Sequence, residues 1–78
     1  MATSEIENIR LRIDLVDSQI ITLLEERMEL CRRIKEAKRR TGKPVRDPTR
    51  EKQVLERAGR FRRVFEAIIE LCIKEQGG

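Results

Sequence analysis

The chain has 78 residues, close to the size at which one chain struggles to bury enough surface alone, and 18 Lys plus Arg against 14 Asp plus Glu give it a net charge of +4. Oligomerisation and an anionic partner are therefore favoured from the outset. Aromatic residues are 3% of the chain and charged residues 41%, and histidine is absent, which excludes an aromatic core and removes the commonest general base and metal ligand.

No apolar run approaches the roughly 18 residues of a membrane span, and the N-terminus lacks the apolar core of a signal peptide, so a cytoplasmic protein without membrane contact is expected. Cys31 and Cys72 are too few for a metal cluster; each falls on an apolar helical face, where an unpaired cysteine behaves as a small buried hydrophobe. No metal or other cofactor is expected.

The first element is a long helix over residues 4–40. Ser4 and Glu7 have the form of a capping box, and the apolar rhythm starts directly after them. Two heptad seams follow: Ile6, Ile13, Ile20, Arg27 and Ile34, and Ile9, Val16, Leu23, Leu30 and Ala37. Lys38, Arg39 and Arg40 suit the negative end of the helix dipole. Such a helix is about 55 Å long, whereas a compact chain of this size has a radius of gyration of roughly 11 to 12 Å. Its seam needs a second chain.

Residues 41–47 form a loop in which Asp47 is a good N-cap and Pro48 fits a first helical turn, giving a second helix over 48–58 that ends at Gly59. A third helix, 60–76, carries an apolar stripe of Phe61, Val64, Phe65, Ile68, Ile69 and Cys72, continued by the polar Gln76. The expected fold is all-α: one long and two short helices per chain, a single domain over 1–78, in an intertwined helical homodimer.

Arg27 is the anomaly, because it occupies a seam position. A buried, unpaired arginine costs several kcal/mol, so it must pair with a carboxylate of the partner helix, reach solvent along its stem, or bind an anion. Lys38, eleven residues on, returns to nearly the same face about 16 Å along the axis, close enough for both side chains to hold one small molecule. Arg10, about 25 Å before Arg27, is too distant within one helix but can meet the other chain's Arg27 in an antiparallel dimer. Arg50 and Glu51, at the start of the second helix, offer a carboxylate clamp and a hydroxyl acceptor.

With these residues in view, the chain resembles the all-helical class of chorismate mutase, in "IRLRIDLVDSQIITLLEERMEL", "KEAKRRTGKPVRDPTREKQVLER" and "VFEAIIELCIKEQ". The combination of I-D-x-x-D, L-x-x-E-R and V-R-D-P-x-R-E is not that of a generic coiled coil. The resemblance implies a homodimer with two active sites built from both chains, rearranging chorismate to prephenate on the branch toward phenylalanine and tyrosine. It implies that Arg10 of the opposite chain joins Arg27 on the substrate carboxylates, with Arg50 as a further cation. Lys38 and Gln76 would contact the ether oxygen, and Asp47 and Glu51 the ring hydroxyl. Cys72 stands where the family often has a small hydroxyl residue, and the connection at Gly59 is shorter than is common. With no room for an appended domain, the expectation is a monofunctional enzyme.

Three other readings compete. A basic helical module for nucleic acid would display its cations outward in a continuous stripe, which the interspersed acids interrupt. A structural dimerisation coil explains the heptads but not the "RDPTRE" cluster. An isochorismate pyruvate lyase of the same fold would use similar cations.

Overall fold

The computed structural model describes residues 2–77, with side chains from Ser4 onward. Its elements are α1, Ala2–Thr41, then α2, Pro48–Ala58, a 3-10 turn, Gly59–Phe61, and α3, Arg62–Glu75. All regular structure among the described residues is helical. The second half departs from two separate helices: α2 passes through the 3-10 turn into α3 without a loop, so α3 starts at Arg62 and Gln76 is its C-cap. At the other end α1 already includes Ser4, which lies inside its first turn and not at an N-cap.

Local chemistry fixes the breaks. Gly42, at φ +71°, lets the Lys43 N–H turn back to the Lys38 carbonyl at 3.1 Å, a Schellman closure of α1. Asp47 caps α2, its Oδ1 accepting the Arg50 N–H at 3.1 Å with Pro48 next in the chain. Gly59, at φ 57° and ψ −125°, has a backbone that side-chain-bearing residues rarely adopt, and there α2 is folded back onto α3.

The core is small and lies around α3. Val54 of α2 packs with Ile69 and Ile73, flanked by Val45, Leu55 and Phe65. Cys31, the most enclosed of the buried apolar residues at 3% exposure, is joined to Cys72 by a disulfide that ties α1 to α3. This corrects the expectation of two unpaired cysteines. Each cysteine does lie on an inward face, but two such faces packed together bring their Cα atoms to 5.5 Å, a normal separation for a bridged pair. In the chain-entropy account a link over this sequence separation contributes about 4 kcal/mol. Arg32 adds an ion pair to Glu75 at 2.9 Å between the same helices.

Among the described residues, the N-terminal part of α1 packs against no other element. Its seam residues Ile6, Ile9, Ile13, Val16 and Ile20 are each 48–52% exposed. The molecule extends 60 Å along its long axis, with a radius of gyration of 16.8 Å, against about 11.5 Å for a compact chain of this length.

Candidate active site

Where α1, the loop, α2 and α3 meet, they form an open-sided cavity of about 390 Å³. Heptad spacing brings Arg27, Cys31, Ile34 and Lys38 of α1 onto its wall. The capped start of α2 delivers Asp47, Arg50 and Glu51, and the last turn of α3 delivers Cys72 and Gln76. Seven of the eight residues singled out in the sequence thus line one cavity. Arg10 does not; it lies on the projecting part of α1.

The cations of this cavity are unneutralised. Among the described residues neither Arg27 nor Arg50 forms an ion pair, and the nearest polar contact of Arg27 is the Cys31 sulfur, 3.9 Å from a terminal guanidinium nitrogen. Burial, and secondly the positive charge of Arg50, lower the Arg27 pKa from its ordinary value. The two carboxylates on the wall are engaged elsewhere. Asp47 caps α2, and Glu51 pairs with Arg46 at 3.1 Å.

Lys38 and Gln76 form a hydrogen-bonded pair on the cavity wall. The Lys38 ammonium donates to the Val45 carbonyl and, at 3.0 Å, to Gln76 Oε1. Gln76 is only 8% exposed, and its Nε2 donates to the Cys72 sulfur at 3.4 Å. An ammonium carries three N–H donors and a primary amide two. Each group therefore retains one N–H for a ligand, and the two side chains are adjacent.

Three contributors were not among the site residues expected from the sequence. Val45 supplies the carbonyl that fixes Lys38. Arg46 bridges Glu51 and, at 2.9 Å, Glu70 of α3, holding the start of α2 against the site. Cys31 contributes half of the disulfide on the wall. Val45 is the one aliphatic side chain besides proline in residues 41–47, which is the local signal of its role. Cys72, which stands where the family often has a small hydroxyl residue, is a half-cystine without an S–H and can only accept. Among the described residues no group of acidic, cysteine or histidine side chains could hold a metal ion, and no helix is long and apolar enough to cross a membrane.

The all-helical chain thus gathers unpaired cations and the Gln76 amide around one small cavity. The chain matches the family model described as chorismate mutase type II over residues 9–77, and it belongs to that family. It is 38% identical over 53 residues to a chorismate mutase of Methanocaldococcus jannaschii, covering 68% of this chain and 54% of that protein. The same identity over 53 residues relates it to a bifunctional chorismate mutase/prephenate dehydratase of Aquifex aeolicus, of which 15% is covered. A protein of Pyrobaculum aerophilum named 3-dehydroquinate dehydratase is 41% identical over 64 residues, 82% of this chain but 21% of that protein. The chain thus spans about half or less of these relatives' length. Among solved structures, a conserved hypothetical protein from Pyrococcus furiosus superposes with a TM-score of 0.90 at 41% identity, over 91% of this chain and 93% of that one.

Proposed function

We propose that this chain is a chorismate mutase, catalysing the intramolecular rearrangement of chorismate to prephenate in the cytoplasm, as a homodimer. The observation that carries the reading is the convergence of Arg27, Lys38, Arg50 and Gln76 on one cavity in which neither arginine is matched by a carboxylate. Family membership supports it.

The reaction moves no proton and needs no nucleophile. The protein must hold a flexible dianion in a folded, reactive conformation and stabilise the negative charge that grows on the ether oxygen as its carbon–oxygen bond breaks. Arg27 and Arg50 take the carboxylates. The free N–H groups of Lys38 and Gln76 take the ether oxygen, and because each side chain is already fixed by protein contacts, little reorganisation accompanies the charge shift. Glu51 accepts from the ring hydroxyl beside the capped turn at Asp47.

Arg10 enters from a second copy of the chain. The half-exposed seam of α1 supplies the apolar surface for that copy, and an antiparallel pairing of the long helices brings each Arg10 toward the other chain's Arg27. The test follows chorismate loss and prephenate formation with purified dimer, alongside Arg27→Ala of equal helicity, with pyruvate release measured in the same samples. Turnover in the parent and its collapse in the variant are expected. A folded, dimeric parent without turnover, or one that releases pyruvate instead, sinks the assignment.

A further inference from the structure

The disulfide lies in the wall of the cavity. Cys31 is one turn after Arg27 on α1, and its sulfur is 3.9 Å from that guanidinium. Cys72 is one turn before Gln76 on α3, and its sulfur accepts the Gln76 Nε2–H at 3.4 Å. A single covalent bond therefore joins the two helices at the level of the site and touches both an arginine and the glutamine that face the ligand.

We propose that the Cys31–Cys72 disulfide is a positioning element of the site, so that the oxidised chain is the competent catalyst and reduction by a dithiol lowers its turnover. The proposal rests on the mutase reading for its activity readout, but its structural content is independent of it. A disulfide sulfur can accept a hydrogen bond and cannot donate one. With a pure acceptor on one side and the Lys38 ammonium on the other, the Gln76 amide has one satisfactory orientation: oxygen toward Lys38, nitrogen toward sulfur. Its second N–H is then aimed by elimination.

Reduction removes that logic. In the exchange the dithiol's two S–H groups supply two electrons and two protons; the Cys31–Cys72 bond breaks, each sulfur leaves with one proton, and the reductant closes its own disulfide. The released thiols are no longer held at bonding distance, so the spacing of α1 and α3 at Arg27 and Gln76 relaxes. Each sulfur also becomes a donor and competes with Lys38 for the amide oxygen. Cys72 is the more exposed half-cystine, only partly buried on the cavity wall, whereas Cys31 is 3% exposed. Attack therefore comes through the cavity, with Cys31 as the leaving thiolate.

The experiment compares the full-length dimer oxidised and reduced with dithiothreitol, the state confirmed by thiol titration and equal helicity by circular dichroism at the assay temperature. Two readouts are taken: kcat and KM for chorismate, and the nitrogen–proton signals of the Gln76 side-chain amide by NMR. On reduction kcat should fall about tenfold or more, with a smaller change in KM, since misplacement by an ångström or so acts mainly on the reacting geometry. The amide signals should shift, and reoxidation should restore both. Cys31→Ala/Cys72→Ala, which removes both the bond and the sulfur acceptor, should show the reduced kcat with no response to dithiothreitol. A reduced, fully helical parent with unchanged kcat and amide signals overturns the proposal, as does an equal loss on dithiothreitol in the double alanine variant. An oxidised parent without turnover whose Gln76 signals still move on reduction overturns the mutase reading and leaves the positioning role standing.

Discussion

Arg27 and Lys38 both offer a positive charge to the same cavity, yet their removal should have opposite effects on stability. The Lys38 ammonium holds two protein acceptors, the Val45 carbonyl and Gln76 Oε1. Hydrogen bonds to a charged group are worth about 1.5–3 kcal/mol each, and since Lys38 is only partly buried the lower end applies. Lys38→Met should therefore cost about 3 kcal/mol, which in a domain of this size lowers the melting temperature by about 12 to 24 °C. Arg27→Met orphans no acceptor and loses only a long contact to sulfur. It also removes a cation whose pKa is lowered by burial and then by Arg50. A base with a lowered pKa in the folded chain detracts from stability at every pH below that value, and the detraction fades only in strongly alkaline solution. Arg27→Met should accordingly be as stable as the parent or more so, by an amount constant between about pH 6 and 9. Both variants should lose turnover by about 10²- to 10³-fold. Urea denaturation at fixed protein concentration, with rates from the same preparations, gives both quantities. If Arg27→Met melts as early as Lys38→Met, Arg27 has a structural partner and the unpaired-cation account is refuted.

Two further outcomes are expected. Gly59→Ala should destabilise by about 1–3 kcal/mol through backbone strain alone, because a Cβ there meets nothing within 4 Å; an unchanged melting temperature would show that the junction of α2 and α3 relaxes freely. Chorismate kcat/KM should fall as salt is raised over about 0.01–0.5 M, since each chain carries +4 and the substrate is an anion; a salt-independent value would count against electrostatic capture.

Long-range periodicity makes α1 readable, and the residues of one face of a helix are fixed by spacing alone, so the sequence by itself groups Arg27 with Lys38. Asp47 and Pro48 announced α2 because capping is a local event. The disulfide was not readable. Both cysteines were placed on inward faces, but whether two inward faces meet depends on the packing of α1 on α3, which no local pattern specifies. Ser4 was misread as a boundary because a capping box is permissive: nothing in residues 2 to 3 prevents the helix from beginning earlier. The joined form of α2 and α3 escaped notice since Gly59 is equally suited to a loop and to a tight 3-10 reversal.

The placement of Arg10 on the projecting part of α1, away from the cavity, has a genetic consequence. If each site draws Arg10 from one chain and Arg27 from the other, a chain defective at Arg10 and a chain defective at Arg27 are not equivalent losses. Paired in one dimer, they leave one site with both arginines intact and the other with neither. Two alleles that are each inactive alone would then complement when expressed in the same cell, whereas two alleles damaged at Arg27 and Lys38, which belong to the same half of a site, would not.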